Sequence, residues 1–175
     1  MRKFSAVFAG MMFSLSASAE TTAFGMILGE STEAQVFAQY SHTFTGINDF
    51  SGGPQYDLDP KAANFSGLTS LSVIFDRDGK LSYLMAKLSA RRTPEVYNIL
   101  ADKYELIAEA KAKFPRRDRY SVFVNEGTEI VLNQPLMAPA ELSYETAEMK
   151  AAFDAGMRRA EARKDKRSQA EEEML

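Results

Sequence analysis

The chain has 175 residues, of which 45% are hydrophobic and 11% aromatic, with a formal charge of −3 and no cysteine. That length fits one domain with a real core, because a chain of this size buries roughly 70% of the surface it exposes when unfolded. The missing cysteines exclude disulfides, thiolate nucleophiles and zinc–thiolate or iron–sulfur sites, the single histidine excludes any site needing two, and the acidic balance argues against general nucleic-acid affinity.

The chain opens with Arg2 and Lys3, then an apolar run from Phe4 to Leu15, then Ser16-Ala17-Ser18-Ala19 before Glu20. A short positive region, an apolar stretch of about a dozen residues and small residues at the −3 and −1 positions are the layout of a cleavable secretory signal. The run is shorter than the roughly 20 apolar residues a membrane span requires. The very short basic region is of bacterial type, so the expected location is the periplasm. Cleavage after Ala19 removes two bases and no acid, which makes the exported chain more acidic than the whole. No later stretch is apolar enough to span a membrane. The expected division is a signal peptide over 1–19, one domain over 20–157 and a charged tail over 158–175.

Phe24-Gly25-Met26-Ile27-Leu28-Gly29 reads as a brief apolar strand or lead-in. Thr32 and Gln35 fit a capping box, with Val36, Phe37 and Tyr40 as the apolar stripe of a helix over about 32–41. Residues 44–66 are dense in Gly, Pro, Asn and Asp and read as a long loop, with an edge strand near Gln55-Tyr56. Leu71, Val73 and Phe75 alternate with smaller residues, Asp76-Arg77-Asp78-Gly79 turns, and Leu81, Tyr83 and Met85 alternate again. This is the pattern of a β-hairpin. Thr93-Pro94-Glu95 starts a helix, with Thr93 as hydroxyl cap and Val96, Ile99, Leu100, Tyr104 and Ile107 on one face, ending before Pro115. A second hairpin follows, Tyr120–Val124 and Ile130–Leu132 around Glu126-Gly127, closed by Pro135 and Pro139. From Thr146 a last helix carries Met149, Phe153 and Met157 as a core stripe. Beyond Met157 most residues are charged, and that part is expected to project. The fold class is α+β: an antiparallel sheet built from two hairpins, helices packed on one face, and a charged C-terminal helix.

The chemical inventory is thin. His42 is of a residue type suited to a general base, but it lacks a second histidine, a thiol or a nucleophile motif beside it in the sequence. Asp76-Arg77-Asp78-Gly79 resembles the start of a calcium loop, but the twelfth position is Lys87 where the EF-hand needs Glu. No metal or cofactor is expected. Asp57 and Asp59 are paired acids in the expected loop, a pattern that serves acid–base chemistry or a cation and is otherwise simply solvated. Arg91-Arg92 and Arg116-Arg117-Arg119 flank the second helix and could meet an anionic group. Candidate ligand or partner contacts are therefore His42, Tyr56, Asp57, Asp59, Arg116 and Arg117, with no catalytic residue among them.

The segment Leu28–Val36, with its glycine-to-threonine helix start, leads after a loop into Leu71–Leu81, whose Phe75 and Gly79-Lys80-Leu81 flank a hairpin turn. That order resembles small bacterial envelope domains of the BamE/SmpA and β-lactamase-inhibitor-like type. The chain departs from them in lacking a lipoprotein cysteine and in adding a long second helix and a charged C-terminal helix. The resemblance covers about 60 residues and implies an envelope binding or scaffolding module.

The expected function is thus an exported, periplasmic, non-catalytic binding or accessory protein, partnered by another envelope protein or a small ligand and not by nucleic acid. The first alternative is an envelope inhibitor or immunity-like protein whose acidic loop carries a protruding Tyr56 into a cleft. The second is a small hydrolase that pairs His42 with Asp57 or Asp59.

Overall fold

The alternating segments around Asp76–Lys80 form the hairpin their pattern predicts. The computed structural model describes residues 20–110, 119–135 and 138–172. The expected leader over 1–19, and Arg116 and Arg117, lie outside the described residues. The described strands are β1 (Thr22–Ala23), β2 (Met26–Ile27), β3 (His42–Ile47), β4 (Pro54–Leu58), β5 (Leu68–Phe75), β6 (Leu81–Leu88), β7 (Glu105–Ala110), β8 (Arg119–Asn125), β9 (Thr128–Gln134) and β10 (Ala140–Glu145). The helices are α1 (Glu33–Phe37), α2 (Thr93–Lys103) and α3 (Ala147–Glu172), with 3-10 turns at Pro60–Ala63 and Ala90–Arg92. β1 and β2 pair only with each other; the other eight make one antiparallel sheet in the order β3-β4-β5-β6-β10-β9-β8-β7.

The two expected hairpins are β5–β6 and β8–β9, but the sheet is larger than these. The segment read as a long loop over 44–66 is instead mostly the β3–β4 hairpin and a 3-10 turn. Residues 105–110, read as the end of a helix, form the outer strand β7, because Tyr104 leaves helical geometry (φ −132°, ψ 155°) and the chain then pairs with β8. Ile107 accordingly sits exposed on a strand, not on the helix face expected of it. Strand β10 was not anticipated, and it lies between β6 and β9 and welds the two hairpins together.

Residues paired across an antiparallel ladder share a face, so the register sorts the sheet. Leu58 opposes Leu71, Val73 opposes Leu84, Leu84 opposes Tyr144, Tyr144 opposes Ile130, and Ile130 opposes Phe123. All of these are buried, and the cluster they form includes Ala23 and Met26 of the small hairpin, Val36 of α1, and Val96 and Leu100 of α2. Burying a side chain of this kind contributes about 1.5–3 kcal/mol; in a cysteine-free chain this face carries the fold. The capping box of α1 forms as expected, with Gln35 N–H donating to Thr32 Oγ1 (3.4 Å) and Thr32 N–H to Gln35 Oε1 (2.8 Å). The α-helix is five residues and not ten. In α2 the hydroxyl cap expected of Thr93 does not form; Thr93 is buried inside the helix and Arg92 takes the cap position, paired with Glu95 at 2.9 Å.

The opposite face carries Ile74, Tyr83, Met85, Ser143 and Glu145, and against it lies the first part of α3 through Met149, Lys150 and Phe153. The helices therefore pack on both faces, not on one. Two polar residues fix that end of α3: Thr146 Oγ1 accepts from Met149 N–H (3.3 Å), and Lys150 pairs with Glu129 across the sheet (3.4 Å). Partial burial pushes the Glu145 carboxyl above its ordinary range, opposed by the Lys150 charge. Met149 is buried, whereas Phe153 is 42% and Met157 53% exposed, so the expected core stripe reduces to Met149.

Candidate functional site

Among the described residues, strand β3 is an edge of the sheet, paired only to β4. His42 opposes Leu58, Phe44 opposes Tyr56 and, after a register shift between Phe44 and Gly46, Ile47 opposes Pro54. His42, Phe44 and Ile47 therefore share the face that bears the core, beyond the cover given by α1. The result is an aromatic shelf. The His42 ring stacks on Phe37 at 3.6 Å between centroids with planes 11° apart. Tyr56 meets Phe37 edge-on at 4.8 Å, Phe44 at 5.6 Å and the buried Phe75 at 6.0 Å. The outer members stay in solvent: Phe44 is 56% and Ile47 62% exposed.

Residues 42–47 read His-Thr-Phe-Thr-Gly-Ile and hold no acid or lysine. Soluble proteins ordinarily blunt an edge strand with charge or proline, because its unpaired backbone N–H and C=O groups recruit another chain. The opposite edge, β7, carries Glu105 and Glu109, and both edge strands have a register shift. The edge without acid or lysine and the exposed aromatic shelf coincide at β3.

The candidate residues named from the sequence fall around this shelf but do not assemble as a reactive group. His42 is exposed and engaged by aromatic rings. Asp57 opposes Thr43 and so faces away from His42; it accepts a hydrogen bond from Ser72 Oγ at 2.6 Å. Asp59 caps the 3-10 turn, accepting from Lys61 N–H at 3.0 Å. No His–Asp pair exists at these positions. Tyr56 does not protrude: it is half-buried and donates its hydroxyl to Glu33 Oε2 at 2.8 Å. Its pKa is raised, first by burial and then by that carboxylate. An exposed loop with a protruding Tyr56 would favour the inhibitor alternative; Tyr56 instead lies half-buried on β4.

Asp76, the first residue of the calcium-like run, builds the β5–β6 turn by accepting from the N–H groups of Asp78 (2.9 Å) and Lys80 (2.8 Å). No cluster of potential metal ligands occurs among the described residues. Arg92 lies over the Phe65 ring at 5.2 Å and pairs with Glu95. The sequence did not single out Phe44 and Ile47. The alternation His42-Thr43-Phe44-Thr45 was the available signal, masked by the glycines and prolines that follow it.

No family model and no curated protein matches the chain. Among solved structures, a DUF4309 family protein (YjgB) from Bacillus subtilis is similar over 73% of this chain and 87% of its own, with 12% identity and a TM-score of 0.39. A score that low transfers neither fold nor role.

Proposed function

We propose that this is an exported, non-catalytic binding or accessory protein of the bacterial envelope, active in the periplasm, which docks another envelope protein along β3. The carrying observation is the exposed aromatic shelf on a charge-free edge strand. An added strand would satisfy the open backbone groups of β3, while its side chains would cover Phe44 and Ile47; this is β-augmentation, in which main-chain bonds supply affinity and alternate side chains supply specificity. The secretory layout of residues 1–19 supports the location, and the resemblance of Leu28–Val36 and Leu71–Leu81 to BamE/SmpA-type domains agrees with an envelope role. The separate engagement of His42, Asp57 and Asp59 supports a non-catalytic reading.

A photo-crosslinking amino acid at position 44, irradiated in living cells, tests this. The expected result is a light-dependent adduct with one envelope protein, lost when Ile47→Lys is added. An adduct yield at position 44 no higher than at exposed Glu161 overturns the docking site. Loss of the cellular phenotype in a folded His42→Ala variant that still forms the adduct overturns the non-catalytic assignment.

A further inference from the structure

A second concave site, separate from β3, lies between the β1–β2 hairpin, the 3-10 turn at Pro60–Ala63, α2 and the sheet. Its volume is about 270 Å³. Holes of roughly 150 Å³ accept benzene and drug-sized sites begin near 300 Å³, so the space suits a small ring or a short chain. Phe24, Phe65, Val96, Leu100 and Leu142 supply an apolar wall, with Phe24 and Phe65 braced edge to face at 5.5 Å.

Two polar groups in that lining make no ion pair or hydrogen bond with another side chain among the described residues. Lys103 is the one charged residue lining the pocket, among the described residues. Its ammonium sits 5.1 Å from the Tyr104 ring centroid, and none of the described ion pairs includes it. Tyr144 is only 5% exposed, and burial raises its pKa far above the ordinary 10.0, which keeps it a neutral O–H donor. The neighbouring phenols are used: Tyr40 donates to Phe24 O at 2.7 Å and Tyr104 reaches Thr22 O at 3.5 Å. No such bond is made by the Tyr144 hydroxyl among the described residues. The Tyr144 ring is buried, and its hydroxyl is not among the fully buried unpartnered atoms, so it opens into the pocket, where a ligand oxygen can accept from it.

We propose that this pocket binds a small amphipathic carboxylate, whose apolar body lies against Phe24, Phe65 and Leu142 and whose anionic head is met by the Lys103 ammonium and the Tyr144 hydroxyl. An apolar wall with one cation and one idle donor matches a ligand with one anionic end. A neutral alkane would leave both polar groups unused, and a cationic amphiphile would meet Lys103 as a like charge. The site is independent of β3, so its failure leaves the docking proposal standing and the reverse holds too.

Backbone amide NMR of the exported chain, titrated with octanoate, octanol and octyltrimethylammonium, tests the assignment. Octanoate is expected to bind saturably, with shifts centred on Val96, Leu100 and Tyr104, and about tenfold more tightly than octanol; the cationic probe should not bind there. Lys103→Met keeps the apolar stem and should abolish the preference for octanoate over octanol. Tyr144→Phe should weaken octanoate about fivefold while leaving the melting temperature unchanged or raised, because the hydroxyl it removes has no partner. Absence of saturable shifts, shifts centred elsewhere, equal affinity for octanol, or an unchanged preference in Lys103→Met overturns the proposal.

Discussion

At Gly53 one missing side chain decides how the β3–β4 hairpin meets the sheet. A Cβ built on Gly53 would fall inside van der Waals distance of the Phe75 and Asp76 carbonyl oxygens, which are backbone and cannot swing away. The segment before it is closed by its own side chains. Asn48 Oδ1 accepts from the N–H groups of Phe50 and Ser51 at 3.0 Å each, and Ser51 Oγ donates to Phe75 O at 3.1 Å. Gly52 differs: its Cβ would meet the Arg77 guanidinium, the movable end of a long side chain, although its φ of +70° also disfavours other residues. Gly53→Ala is therefore expected to cost at least about 2 kcal/mol, among the larger single-residue effects, and to melt well below Gly52→Ala. Thermal melts of both variants beside the parent check this; a Gly53→Ala midpoint at or above that of Gly52→Ala contradicts the close approach.

Among the elements, α3 divides into a packed turn and a free length. Met149 is buried, Phe153 rests edge-on against Phe50 at 4.9 Å but remains 42% exposed, and residues 158–168 are exposed throughout. Met149→Ala is expected to cost about 2–5 kcal/mol. Phe153→Ala should cost less, about 1–2 kcal/mol, since much of its ring never leaves water. Truncation after Arg159 removes only solvated turns, whose ion pairs contribute at most about 1 kcal/mol each, and should move the midpoint by roughly 2–4 °C or less. A truncation as damaging as Met149→Ala would mean that the free length packs on the domain or on a second copy. The same helix marks how far the sequence could be read. Its start at Thr146 and its charged end were legible, because caps and charge are local; the face it packs on was not, because Met149, Phe153 and Met157 share a stripe whether or not anything covers all three. The β5–β6 and β8–β9 hairpins were legible from strict alternation around glycine turns. Strand β10 also alternates, with Ala140, Leu142 and Tyr144 inward, but six residues between a proline and a helix cap carry little signal until a neighbouring strand completes them. Leu106 and Ile107 continued the α2 spacing, and only pairing with β8 made them strand, since short apolar runs fit either period. Of the candidate site, His42 and Tyr56 were visible as residue types. The edge that exposes Phe44 and Ile47 is a property of strand order, which no local pattern encodes.

The whole molecule sets a boundary on where the proposed leader can end. Thr21 is buried: its Oγ1 donates to Asn125 O at 3.3 Å and accepts from Asn125 Nδ2 at 2.9 Å, and its carbonyl accepts from Leu28 N–H at 3.0 Å. Ala23 and Met26, directly after it, belong to the core cluster. Cleavage beyond Glu20 would therefore cut into the small hairpin that lies over the sheet and closes one wall of the carboxylate pocket. Ala17 and Ala19 are small residues of the kind the proposed cleavage site needs at −3 and −1. Glu20 is exposed, so the new ammonium group would sit in water at no desolvation cost. The exported protein is expected to begin at Glu20, read by intact mass or N-terminal sequencing of periplasmic material. Ala17→Lys should block processing and leave the longer precursor at the membrane, while the same domain expressed from Glu20 should give an unchanged melt. A mature chain starting at Thr22 or later, with the fold intact, would show that the ties of Thr21 to Asn125 are dispensable and that the small hairpin is not part of the core.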